Sequence, residues 1–324
     1  MAVGQTNPVT HEQGCTTLEG ISSKACLDPL AWSIGLSFAT AQTETGMDAS
    51  LEAAVARAMA SSPRRVVFPE WRGKKYVVKR IVSKSKGKGH FKLRFLASLS
   101  RWAFPGHVYE VSLQPGDGHW ELERNQALAA AGERVPRVVL TLPDAVVYEH
   151  CGTVLSRYLE PLSRHQRQVL IRQAMIDLAR FHHAGHWHGS AQFRNVVVLA
   201  SDESGMPGFC RIDFEENLAD QFSLPLLQMY DMGLFLAEAL VQDVEMTDVM
   251  AWGRSLLGDY RAVHWPKDYA FLLGRLARMA RPILWLAPLL QRYGNWDSDR
   301  ALALARVFAA VARDEAAKSA ETTT

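Results

Sequence analysis

Four groups of residues, taken in chain order, have the types needed to hold a polyphosphate and a divalent cation. The first is Lys79, at the end of Val77-Val78-Lys79 in a β-branched run that reads as a strand. The second is Glu121 or Glu123, either of which could pair with Lys79 from the start of a helix. The third is His188-Gly189-Ser190-Ala191-Gln192-Phe193-Arg194-Asn195, in which Asn195 offers an amide oxygen to a metal. The fourth is Ile212-Asp213-Phe214-Glu215, with Asp213 eighteen residues beyond Asn195. Phosphoryl transfer asks little covalent chemistry of a protein: a cation on the phosphates, a carboxylate to position it, and oxygen ligands for magnesium. A different cluster competes for attention. His182, His183, His186 and His188 crowd one helix end, and His182 and His186 have the spacing of a zinc pair. No Cys or Glu completes a zinc set nearby.

The elements that must position these residues come in a definite order. Residues 1–46 are sparsely charged and rich in Thr, Ser, Gly and Gln, as expected of a flexible or irregular extension. A helix is predicted over 49–60, then strands over 65–68 and 75–82 hinged at Gly73. A helix over 120–131 should stop at Gly132, a natural left-handed cap. Strands over 135–140 and 145–148 flank the turn Pro143-Asp144 and lead to a connector near Glu149 to Gly152. Beyond Arg164 the pattern turns helical, with Val169, Ile171, Met175, Ile176, Leu178, Ala179 and Phe181 on one broad apolar face. Short strands over 196–199 and 210–212 bracket a Gly/Ser/Pro loop, and nearly everything after Asp213 is helical.

That order and those motifs resemble the protein-kinase-like superfamily, and within it the bacterial branch of lipopolysaccharide-core and Kdo kinases with their small atypical relatives. The likeness spans roughly 64–240. His188 to Asn195 keeps the seven-residue interval of the catalytic loop, His188-Gly189 is the form that branch uses in place of His-Arg, and Arg72 to Lys79 resembles its strand turn without a long glycine loop. Glu121, eleven residues before Gly132, fits the helix carboxylate better than Glu123. The resemblance implies an α+β, two-lobed fold: an N-lobe over 47–150, a helical C-lobe over 151–315 and a disordered tail over 316–324. It implies ATP and Mg²⁺ as cofactors, with Lys79, Glu121, Glu149 and Cys151 toward the nucleotide and Asn195 and Asp213 toward the metal. His188 would pack against the metal-binding aspartate. Asp231 falls where a buried aspartate braces the catalytic loop in this superfamily, although a helix N-cap is the other reading of that residue.

Two positions depart from the family pattern. Ser190 stands where the aspartate base belongs, and a neutral hydroxyl does not act as a base at pH 7 unaided. Glu215 replaces the glycine of Asp-Phe-Gly, with Glu216 beside it. These carboxylates could bind a second metal, stand in as base, or simply face water as loop residues. The resemblance therefore implies an atypical phosphotransferase acting on a sugar or glycolipid hydroxyl. The alternatives are a pseudokinase that binds nucleotide and regulates a protein partner, and an adenylyl transferase.

Bulk properties exclude some classes. With 324 residues, 48% apolar, 22% charged and a net charge of +2, the chain is an ordinary globular protein with no global bias toward nucleic acid. Cys15, Cys26, Cys151 and Cys210 show no metal or disulfide spacing. Together with the lack of a signal-peptide pattern, they point to a reducing cytoplasm, on the inner face of a membrane if anchored. The lysine-rich stretch 72–92 reads as a solvated loop or a docking patch for a polyanion. Residues 275–293 mix Arg275, Arg278, Arg281 and Arg292 with Trp285 and leucines. That composition fits a core helix broken at Pro282 and Pro288, or a segment lying on an anionic membrane.

Overall fold

The structure is a computed structural model that describes residues 45–81, 101–109, 118–201, 207–218, 221–242, 249–285 and 296–321. The N-terminal extension, and with it Cys15, Cys26 and most of the lysine-rich stretch, lies outside the described residues.

Helix α1 (Thr45–Ser61) precedes a hairpin of β1 (Val66–Val67) and β2 (Glu70–Trp71) against β3 (Lys74–Arg80). Both short strands keep one register on β3, with Val66 opposite Lys79 and Trp71 opposite Lys74. The turn works because Arg72 and Gly73 both take positive φ, 50° and 72°, as a two-residue hairpin of right-handed twist requires. β3 then pairs antiparallel with β5 (Ala145–Glu149), and β5 with β4 (Val138–Leu142). β4 begins later than the sequence suggests: Pro136 has no N–H to give a ladder.

Alternation across this sheet decides which residues reach the site. Tyr76 and Val78 on β3, Ala145 and Val147 on β5, and Val67 on β1 are buried against Leu51 and Val55 of α1. Val77, Lys79, Tyr148 and Val66 therefore share the opposite face. Helix α2 (Gly118–Ala130) packs against β5 and ends in a Schellman cap, Glu133 N–H to Leu128 C=O at 2.9 Å, with Gly132 at φ 84°.

A second antiparallel sheet, β6 (Thr153–Val154), β7 (Val196–Ser201) and β8 (Pro207–Arg211), sits at the start of the helical part. That part comprises α3 (Leu155–Tyr158), α4 (Arg164–His183), α5 (Leu224–Ala239), α6 (Val249–Val263), α7 (Asp268–Trp285) and α8 (Trp296–Glu321). Helix α4 opens on a capping box between Ser163 and Gln166. Its buried face holds Leu170, Ile171, Met175, Leu178 and Phe181; Val169, expected there, is 43% exposed because Leu170 takes the inward position. Helix α8 runs to Glu321, so the chain expected to be disordered from 316 is helical almost to its end. The architecture is α+β: an antiparallel N-terminal sheet followed by a helical C-terminal region, consistent with a two-lobed, kinase-like fold.

One stretch carries no signal in the sequence. Residues 101–109 lie between β3 and α2 in the chain, yet Ala103, Phe104 and Val108 are buried in the helical core. His107 C=O accepts from Ser223 N–H at 2.8 Å and Tyr109 N–H donates to Gln221 C=O at 2.8 Å, forming a β-bridge between Val108 and Phe222. This stretch is thereby fastened to the segment that follows Asp213.

Candidate active site

Between the N-terminal sheet and β7 lies a cavity of about 280 Å³. Val66, Phe68 and Val77 form one wall, and Val154, Val197 and Ile212 form the other. Tyr148, Glu149, His150, Cys151 and Gly152 close its back edge. Lys79, Glu121 and Asp213 stand together at its polar end.

Lys79 Nζ lies 2.8 Å from Glu121, contacts Asp213 Oδ1, and lies 2.8 Å from Glu215 Oε1. Burial works to discharge this lysine, but Glu121 and Asp213 outweigh it and hold the ammonium above its ordinary range. Glu123 is exposed, so Glu121 is the helix carboxylate that meets Lys79. Asp213 adopts φ 71°, a conformation that costs a non-glycine residue about 1 kcal/mol or more and is typically retained where side-chain placement requires it.

Glu215 does not behave as a solvated loop residue. Its side chain is 12% exposed and bonds Arg65 at 2.6 Å as well as Lys79. Arg65 sits just before β1, so the sheet itself pulls Glu215 inward. Glu216 is exposed, and its carbonyl accepts from Trp120 Nε1 and Arg124 Nη1, both at 3.2 Å.

The loop from His188 to Asn195 is held from beneath by α5. Asp231 is fully buried in the middle of that helix, not at its cap, and accepts from the backbone N–H of His188 and of Gly189, the latter at 2.8 Å. Burial alone would raise Asp231, but the His182 ring, 3.6 Å away, and the hydrogen bond from the His188 backbone hold it below the ordinary carboxylate range. Glu238, two turns further along, accepts from Phe193 N–H at 2.6 Å. Gln228 donates to the carbonyls of His182 and His186 at 2.7 and 2.9 Å. Three polar side chains on one stripe of an apolar helix thus carry the loop and the chain that leads into it.

Burial pushes His188 down to about 4, so the ring is neutral. Its Nε2 donates to the Ile212 carbonyl at 2.9 Å, leaving Nδ1 to accept from Ser190 N–H at 3.2 Å. The ring stacks on Phe214 at 4.7 Å. His188 therefore fixes the residues on both sides of Asp213. Asn195 Nδ2 donates to Ser190 C=O at 2.9 Å and reaches Ser190 Oγ at 3.3 Å, which leaves Oδ1 as the atom for a cation.

His182 and His186 do not form a metal pair. His182 Nδ1 bonds Tyr260 at 2.6 Å while His186 Nε2 lies 3.7 Å from Glu133. Among the described residues, the only cluster with metal-ligand geometry is Glu121, Asp213 and Glu215, whose oxygens lie within 4.8 Å of one another. Hard oxygen donors of this kind, with Asn195 beside them in the loop, suit magnesium.

Glu149 turns its carboxylate outward to Arg137 at 3.1 Å, so only its backbone borders the cavity interior. The Cys151 thiol lies on the cavity wall and is lowered from its ordinary value by hydrogen bonding with Cys210, which is raised in turn.

No protein-family model matches the chain, and no curated protein matches it. Among solved structures, WaaP in complex with acyl carrier protein aligns with a TM-score of 0.40 and 16% identity, over 74% of this chain and 85% of that one.

Arg124 is the site residue that spacing does not reveal. It lies one turn after Glu121 on α2, and its guanidinium stacks 3.6 Å from the centre of the Trp187 ring. It donates to the carbonyls of Trp187, His188 (3.1 Å) and Glu216 (3.2 Å). This packing also explains the His-Gly form of the loop. Gly189 has φ 90°, and a Cβ there would stand 2.8 Å from both Glu216 Cβ and the Trp187 ring. Gly189→Ala should therefore lower unfolding free energy by about 1–3 kcal/mol, read from the urea midpoint at unchanged m.

Proposed function

We propose that the cavity binds ATP with magnesium, and that the protein is a kinase-like phosphotransferase whose acceptor is a non-protein hydroxyl on a sugar or glycolipid. The observation that carries this reading is the convergence of Glu121, Asp213 and Glu215 on Lys79 at the polar end of an apolar slot. A flat base fits between Phe68 and Val77 above and Val197 and Ile212 below, with backbone groups of Glu149 and Cys151 at its edge. Lys79 then holds the phosphates, while Asp213 and the Asn195 amide oxygen hold magnesium. Bound there, magnesium would neutralise charge developing on the transferred phosphoryl group. Asp231, Glu238 and His188 keep the loop in place, so its geometry is set before substrate arrives.

A non-protein acceptor fits the packing after Asp213. Residues 221–223 are already paired on one edge by 107–109, which closes that edge to an added peptide strand. A second reading, a nucleotide-binding module without transfer activity, has its own support. Ser190 replaces the base, and Glu215 is engaged by Arg65 and Lys79.

Thermal shift and labelled nucleotide test these readings. ATP with Mg²⁺ should raise the melting temperature of the wild type, by about 2.7 kcal/mol of stabilisation at a hundredfold excess over Kd. Lys79→Ala and Asp213→Ala should lose most of that shift, and a full response from both would overturn the site. Transfer of label from γ-labelled ATP to a lipid or sugar fraction of cell extract supports the phosphotransferase. Label from the α-position means adenylyl transfer, and none from either means a binding module.

A further inference from the structure

We propose that the exposed face formed by α7 and residues 101–109 docks on an anionic lipid bilayer. This inference does not rest on the nucleotide reading. Phe271, Arg275, Arg278, Pro282 and Trp285 recur at three- and four-residue intervals, so about 3.6 residues per turn places them on one stripe, with Arg281 at its edge. The inward face of α7 is spoken for: Tyr269, Leu272 and Leu273 are buried in the core, and α8 packs along the helix.

Residues 101–109 widen the stripe into a surface. Arg275 donates through Nε to Ala103 C=O at 2.6 Å and through Nη2 to Trp102 C=O at 3.3 Å, and Phe271 stacks on His107 at 5.9 Å. Those contacts hold Trp102 and Arg101 beside the helix. Trp102 is 75% exposed, Trp285 81% and Phe271 45%, an unusual outlay of aromatic surface toward water. Three exposed arginines accompany them, at 101, 278 and 281, while Arg275 is held by the Ala103 and Trp102 carbonyls, and α7 has no acidic residue after Asp268.

The spacing selects the occupant. A protein partner's contact energy concentrates on aromatics grouped in a central pocket. Here Phe271 and Trp285 stand about 21 Å apart along the helix, with arginines between them. Indole rings favour the headgroup level of a bilayer, arginines pair with lipid phosphates, and a single helix stripe is shaped for a plane. The same 101–109 segment bonds Gln221 and Ser223, so docking would bring the segment after Asp213 toward the lipid.

Co-sedimentation with vesicles of phosphatidylcholine containing roughly 30 mol % phosphatidylglycerol tests this, against phosphatidylcholine alone. The full chain should bind the anionic vesicles, more weakly as salt rises, and bind the neutral ones poorly. Each surface arginine contributes about fivefold in partitioning, so Arg278→Glu with Arg281→Glu should weaken binding more than about twentyfold. Trp102→Ala with Trp285→Ala should weaken it too. Both pairs are solvent-exposed, and unchanged melting temperatures would show that the variants fold. Absence of wild-type binding at low salt, or charge-reversed protein that binds as well as wild type, overturns the proposal. So does a wild-type dimer, seen by light scattering, that Trp102→Ala with Trp285→Ala dissociates, because the face would then be a contact between copies of this chain.

Discussion

Asp231→Ala should unfold at a much lower urea concentration than the wild type and should lose the stabilisation by ATP and Mg²⁺ that the proposed function requires. The carboxylate is fully buried and accepts two backbone N–H groups of the loop that carries Asn195. Removing it leaves those donors without their acceptor in a dry interior, where each costs about 1–3 kcal/mol and hydrogen bonds to a charged group lie at the upper end. A total loss of about 3–5 kcal/mol follows, a large share of a typical domain's stability. Asp231→Asn keeps one acceptor oxygen and should fall roughly halfway. A midpoint within about 0.5 kcal/mol of wild type for Asp231→Ala would remove the brace from the account.

The pH dependence of the wild type follows from the same cluster. An unfolded chain protonates His188 near its ordinary pKa, whereas the folded protein waits until about pH 4. Between those values the unfolded state binds more protons, so stability falls as the solution is acidified through that window. Asp231 contributes in a lower window. Its folded pKa is depressed, so its contribution is present above the ordinary carboxylate range and is lost as pH falls through the folded value.

Much of the frame was legible because it is local. The β-branched run ending at Lys79 specifies a strand, its alternation specifies a face, and the hairpin turn at Arg72-Gly73 sets the register. The same holds for α4, whose boundaries follow from a capping box at one end and Gly185, at φ 85°, past the other. What escaped depends on contacts between distant segments. Glu215 reads as a loop carboxylate until Arg65 and Lys79 are seen to draw it inward. Residues 101–109 have no sustained periodicity, yet Phe104 and Val108 complete the helical core. A signal did exist for the loop's supports. Gln228, Asp231 and Glu238 are polar intrusions on one stripe of an otherwise apolar helix, and burial of such groups implies partners.

Arg124 gives the second large effect, because it couples α2 to the loop through backbone carbonyls. Burial lowers this guanidinium to about 10, and it remains charged near neutral pH. Arg124→Ala would leave the carbonyls of Trp187, His188 and Glu216 without this donor and strip the cation from the Trp187 ring. Charge-assisted bonds of this kind contribute about 1.5–3 kcal/mol and the stacked cation about 1 kcal/mol, so a loss of about 3 kcal/mol is expected in urea unfolding. The consequence for the site is larger than the loss of stability. Glu121 lies one turn before Arg124, so loosening this end of α2 also loosens the carboxylate that positions Lys79. Under the proposed phosphotransfer function, turnover should fall by about a hundredfold, as misplacement by about 1 Å commonly costs. Arg124→Lys should not rescue it, since one ammonium cannot serve three carbonyls while lying flat on an indole. Arg137→Ala, which removes only an exposed pair with Glu149, should change stability by less than about 0.5 kcal/mol. Wild-type turnover in the Arg124→Lys variant would show that charge alone suffices there, and that the three carbonyls need no fork to hold them.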